Sequence, residues 1–139
     1  MSVLVIPFDR RRSAVFGTVR RPVVPVALWS ARARAWVEVV MLVDTGADVT
    51  LLPHPYADIL GVDLSRQCRP ITSAGIGGTE AVQLLPRLAM RLGPWSRRIP
   101  VGFLRRDDVP PLLGRIRCLD TFAVRLADWR TRFDATRRG

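Results

Sequence analysis

An all-β domain of short strands is the fold that the sequence predicts, and three observations carry it. Apolar and β-branched residues come in short runs, as in Met1 to Phe8 and Val39 to Val43. Gly, Pro, Asp and Ser interrupt those runs at close intervals, as turns between strands do. Helical spacing is confined to two brief segments, one after Pro53 and one near Arg117.

Taken in order, Met1 to Phe8 reads as an N-terminal strand, and Asp9 to Ser13 as a charged turn that ends it. Ala14 to Val19 suits a second short strand, closed by Arg20-Arg21-Pro22. Residues 23–29 and 34–43 form a hairpin across Ser30 to Ala33. The second arm alternates at first and then becomes continuously apolar, so Val39 to Val43 is expected to be buried. Val49 to Leu52 resumes strand character and Pro53 closes it. Tyr56, Ile59 and Leu60 are spaced for one helical turn, with Gly61 as its stop. His54, the single histidine, is flanked by Pro53 and Pro55 and reads as a surface residue.

Ile71-Thr72 and Ala81 to Leu85 suit two strands on either side of Gly75-Ile76-Gly77-Gly78, where glycines permit a hairpin with positive φ. Leu88, Met90 and Leu92, then Gly93-Pro94, then Ile99, Val101 and Phe103 predict a further hairpin. Arg117 to Phe122 suits a short helix with Leu119 and Phe122 on one face. Ala123 to Leu126 and Thr131 to Phe133 read as strands about a turn at Asp128-Trp129-Arg130, and the Arg137 to Gly139 tail as frayed.

The chain of 139 residues has the size of a single domain with its own core. Hydrophobic residues make up 48%, which excludes disorder throughout. No apolar run approaches the length of about 20 residues that a membrane helix needs. Met1 to Phe8 is too short and lacks the basic lead of a secretory signal, so a cytoplasmic protein is expected. Cys68 and Cys118 are then free thiols by default. With no second histidine and no cysteine cluster, neither a metal site nor a cofactor is expected.

The net charge is +10, and all 22 basic residues are arginine. Such a charge draws a protein toward anionic partners. The arginines are scattered in pairs, with one triplet at Arg10 to Arg12, and no aromatic ladder interleaves them. A solvated basic surface is therefore preferred to a nucleic-acid site.

The chemistry concentrates at Asp44-Thr45-Gly46-Ala47, where an apolar run drives straight into one acid and a tight turn follows. A carboxylate at the end of a buried strand is costly unless it is hydrogen-bonded or used. Gly46 allows a sharp turn and close approach of a ligand. A reactive acid between two strands is rigidly held.

This segment resembles the active-site loop of retropepsin-like aspartic proteases. Gly75-Ile76-Gly77-Gly78 is similar to that family's flap tip, and Pro111-Leu112-Leu113-Gly114-Arg115 to its second signature, in the family's order. The resemblance covers roughly residues 36 to 128, and it departs at Ile116, where the family commonly has an acidic or amide residue.

It implies a closed β-barrel with one or two short helices, acting as a homodimer. It also implies one domain over 1–139, with an N-terminal extension over 1–33, a core over 34–128 and a last strand and tail over 129–139. Asp44 would be the catalytic acid/base, and Thr45 would hydrogen-bond across the dimer. Gly46, Ala47 and Asp48 would line the substrate backbone. Ile76, Gly77 and Gly78 would close over a bound peptide. Gly114 and Arg115 would brace the loop, Arg115 by pairing with Asp48 or otherwise.

Hydrolysis by carboxylates needs two of them sharing a proton. The chain holds one Asp-Thr-Gly, and Asp120-Thr121-Phe122 lacks the glycine, so the second acid is expected from a second copy. The resemblance thus implies an endopeptidase acting on peptide or protein substrates. Two alternatives stand beside it: a dimer that grips peptides without cutting them, and a basic nucleic-acid-binding domain.

Overall fold

The structure is a computed structural model, and it describes residues 2–75 and 78–135. Strands dominate it. In chain order they are β1 (Val3–Pro7), β2 (Asp9–Ser13), β3 (Gly17–Arg21), β4 (Val23–Ser30), β5 (Ala35–Val43) and β6 (Thr50–Pro53). The helices α1 (Pro55–Leu60) and α2 (Leu64–Gln67) follow. Then come β7 (Arg69–Gly75), β8 (Gly78–Leu92), β9 (Trp95–Leu104), β10 (Leu112–Leu113), a 3-10 turn (Leu119–Thr121), β11 (Phe122–Ala127) and β12 (Arg130–Ala135). The all-β expectation is met.

Seven strands form the main sheet in the order β4-β5-β10-β6-β9-β8-β7, and β8 also pairs with β4 through Ala27–Arg91 and Leu28–Met90. The predicted hairpins are present: β4 with β5, β7 with β8, and β8 with β9 about Gly93-Pro94. β8 serves both β7 and β9. Its register slips between Leu85 and Leu88, where Pro86 cannot donate to the ladder.

Period-2 alternation sends Val24, Val26 and Leu28 of β4 and Val39, Met41 and Val43 of β5 into one core. Leu52, Met90, Leu92, Ile99, Val101, Phe103, Leu113 and Phe133 fill it. One expectation is corrected here. Val39 to Val43 is not buried throughout, because the pleat turns Val40 outward to 48% exposure and leaves Leu42 half-buried. The strand that is buried on both faces is β9, from Ile99 to Leu104, packed between β6 and β8. At Gly102 a Cβ would run into Val82 and Leu51, so the close spacing there requires glycine.

A second sheet, β1-β12-β11, joins the two ends of the described chain. Leu4, Ile6, Phe122, Val124 and Phe133 face the core, and the Phe122 and Phe133 rings meet edge to face at 5.8 Å. The β11–β12 turn puts Asp128 and Trp129 at φ +53° and +61°, a pair of left-handed residues that suits a tight hairpin. The third sheet is the hairpin β2–β3. It corrects the reading of Asp9 to Ser13 as a turn: these residues pair with Gly17–Arg21, and the turn lies at Ala14 to Phe16. The strand expected from Ala14 therefore begins at Gly17.

The helices also differ from expectation in part. α1 is the predicted turn, stopped by Gly61 at φ +70°, where a Cβ would meet the Arg32 backbone. Buried Ser30 donates to the Ile59 carbonyl at 2.8 Å and so ties α1 to the β4–β5 turn. α2 was not predicted. Asp63 caps it by accepting from the Ser65 and Arg66 amides, and its bonds to Ser65 and Arg66 hold its carboxyl below the usual range. The helix expected over Arg117 to Phe122 does not form. Arg117 adopts φ +55°, which interrupts a right-handed helix, and only the 3-10 turn remains before β11 begins.

Candidate active site

Asp44 stands immediately after β5, at the start of the link to β6. Its amide donates to the Leu113 carbonyl at 3.0 Å, and its own carbonyl accepts from the Ala47 amide at 3.2 Å. The residue is half-buried, and its carboxylate Oδ1 accepts from the Gly46 amide at 3.0 Å. A Cβ on residue 46 would lie 3.3 Å from that oxygen, so glycine keeps the space beside the acid open. Thr45 is exposed at the tip of the turn.

The loop is braced from the far end of the sequence. β10 lies between β5 and β6, parallel to the first and antiparallel to the second. The Leu42 amide donates to the Pro111 carbonyl, and the Arg115 and Ile116 amides donate to the Ala47 and Asp48 carbonyls at 2.9 and 2.7 Å. Gly114 passes directly over the Val49–Thr50 peptide, where any Cβ would strike backbone. Arg115 reaches two acids, one on either side of it: Nη1 lies 4.0 Å from Asp48, and Nε lies 3.3 Å from Asp120. All three side chains are about half exposed or more, so these pairs orient the loop more than they stabilise it.

Asp44, Gly46, Ala47, Asp48, Gly114 and Arg115 are thus brought together in one braced loop. Gly78 opens β8 at the end of the β7–β8 hairpin, opposite Gly75, with φ +110°. Ile76 and Gly77 lie outside the described residues. Further along that hairpin, Glu80 lies 3.7 Å from Arg106, which is clamped to Asp108 in the loop after β9.

Two contributors escaped the sequence reading. Thr50 is buried to 1% exposure, and its hydroxyl accepts from the Gly114 amide at 3.1 Å. A lone hydroxyl inside the apolar Val49 to Leu52 run was the available signal. Asp120 is Arg115's nearer acidic partner, five residues on, and nothing in its sequence surroundings marks it as such. Among the described residues no three acid, histidine or cysteine side chains cluster closely enough to hold a metal ion.

A half-buried acid with one oxygen held by a backbone amide and an open approach beside it is equipped to take and give a proton. A family model described as aspartyl protease matches residues 36–115, more than half of the chain. The chain belongs to the aspartyl protease family. That match spans the Asp44 loop, the β7–β8 hairpin and β10 through Arg115, the three parts that the resemblance had singled out. Comparison with curated proteins finds no match to this chain. The braced loop sits on a mostly β architecture, and none of the described helices is long and apolar enough to cross a membrane.

Proposed function

We propose that the protein is a homodimeric aspartic endopeptidase whose two Asp44 carboxylates, one per protomer, activate a water molecule. The observation that carries this reading is the bracing of Asp44: Leu113 and Gly46 fix the acid from both sides while its turn stays open. The chain supplies one Asp-Thr-Gly, and acid catalysis of peptide hydrolysis needs two carboxylates in contact. A second copy on a two-fold axis provides the other. Exposed Thr45 then faces its counterpart and locks the two loops together.

In the reaction, one carboxylate takes a proton from water as its oxygen attacks the scissile carbonyl carbon. The other gives its proton to the carbonyl oxygen. The tetrahedral diol collapses with proton transfer to the leaving nitrogen, which leaves an acid and an amine. Two like charges in contact cannot both ionise readily, so the pair titrates in two steps. Gly46, Ala47 and Asp48 hold the substrate backbone in an extended form, and Ile76, Gly77 and Gly78 close over it. Gly114 and Arg115 keep the loop in place. The apolar residues around the loop favour apolar side chains about the scissile bond. The sequence of pairings β4-β5-β10-β6-β9-β8 and back to β4 supports a closed barrel within one domain over 1–139.

The test is digestion of a mixed peptide library, read by mass spectrometry, with wild type and Asp44→Asn in parallel. Products are expected from wild type, with about a 10⁴-fold loss or more in the variant. Equal cleavage by both proteins would refute the assignment. Peptide binding by a dimer without any products would establish a gripping module instead.

A further inference from the structure

The β2–β3 hairpin stands outside both larger sheets, and among the described residues its strands pair only with each other. All of its residues except Ser13 and Val19 are exposed, so it buries almost no core of its own. From Asp9 to Arg21 it carries five arginines against one aspartate, a net +4 of the chain's +10. Arg11 is tied to Asp9 at 2.7 Å, and Arg20 lies over the Trp129 ring at 4.9 Å. Among the described residues no ion pair holds Arg10, Arg12 or Arg21. The register sets Arg10 directly opposite Arg20, a like-charge pair that an anionic partner would relieve.

The tip has the opposite character. Val15 and Phe16 are 80% and 76% exposed, more than any other large apolar residue described. They are held outward: Ser13 Oγ accepts from the Val15 amide at 3.2 Å and the Phe16 amide at 3.1 Å, and Gly17 reverses the chain at φ +75°. A basic stem with an ordered aliphatic and aromatic tip matches the layering of a lipid interface, with phosphates outside and acyl chains beneath.

We propose that this hairpin docks the protein on anionic phospholipid surfaces. Val15 and Phe16 enter the interface, and Arg10, Arg12, Arg20 and Arg21 meet the phosphates. Nucleic acid fits the stem but leaves the aliphatic Val15 without a role. A second copy of this hairpin fits poorly against it, because the two basic stems would meet with the same net +4.

The experiment is sedimentation of the full chain with vesicles of phosphatidylcholine, alone or with about 30 mole per cent phosphatidylserine, at low and physiological salt. Binding is expected to the anionic vesicles only, and to weaken with salt. Arg10→Gln with Arg12→Gln should weaken it about fivefold per charge removed. Val15→Ser with Phe16→Ser should weaken it more than about tenfold. The Phe16→Trp variant should show extra emission quenched by brominated lipid, relative to wild type, which reads tip insertion directly. No vesicle binding, equal binding to neutral vesicles, or a Phe16→Trp variant whose extra emission brominated lipid leaves unquenched would overturn the proposal. So would salt-sensitive RNA or DNA binding without vesicle binding, or tip variants that only convert dimers to monomers.

Discussion

Asp44 is one acid among twelve acidic residues, and what distinguishes it is its place at the end of β5, where Leu113 of β10 accepts its amide and Gly46 donates to its carboxylate. Thr50 is the least conspicuous of its supports. Its buried hydroxyl accepts the Gly114 amide, and Thr50→Val would leave that amide unpaired where water cannot reach it. A loss of about 1–3 kcal/mol is expected in denaturant unfolding, with Thr50→Ser restoring most of it. Gly114→Ala should cost about 3 kcal/mol, because its methyl must displace the Val49 carbonyl. Cys118 offers a test with pH. Burial raises its thiol from an ordinary 9.0 to about 12, although the Thr50 hydroxyl opposes the shift. Below the unfolded value the thiol is neutral in both states and stability is flat. Between about 9 and 12 the unfolded chain ionises first, so stability should fall as pH rises through that window. Thermal melts across this range, compared with Cys118→Ser, check it. Cys68, which is only half-buried, should alkylate first in the native protein.

Among the elements, β10 is two residues long and yet joins the two strands that flank the acid. Its leverage comes from position, since Leu113 is fully buried and carries the carbonyl that receives the Asp44 amide. Leu113→Ala should cost about 2–5 kcal/mol and lower peptidase activity together with stability. Arg115→Leu should behave differently. Its partners are largely exposed, so the melting temperature should barely move while activity drops through a looser loop. Hairpins were legible wherever a turn residue advertised itself, as at Gly93-Pro94 and at the paired Gly75 and Gly78. The arm β2–β3 was not, because five consecutive polar residues from Asp9 to Ser13 show none of the alternation that marks a half-buried strand. α2 went unread for a related reason: four residues are too few for a period, and only the Asp63 cap announces it.

At the scale of the whole molecule, the proposed chemistry needs a second chain. Specific activity should therefore rise with protein concentration until the dimer saturates, and sedimentation velocity on the same samples should show the association. Activity independent of concentration, from a protein that sediments as a monomer, would remove the shared-acid mechanism. Most strand positions and turns were legible in the sequence, the β2–β3 arm excepted, because they depend on alternation or turn chemistry acting over a few neighbouring residues. The single acid with its glycine and the apolar-Gly-Arg segment stood out through the family resemblance. Only the tertiary structure decided that β10 lies between β5 and β6, that Thr50 receives Gly114 from 64 residues away, that Arg115 pairs with Asp120 as well as Asp48, and that β1 pairs with β12. Such contacts depend on how the sheets fold back on one another, and no local pattern of residues specifies that closure.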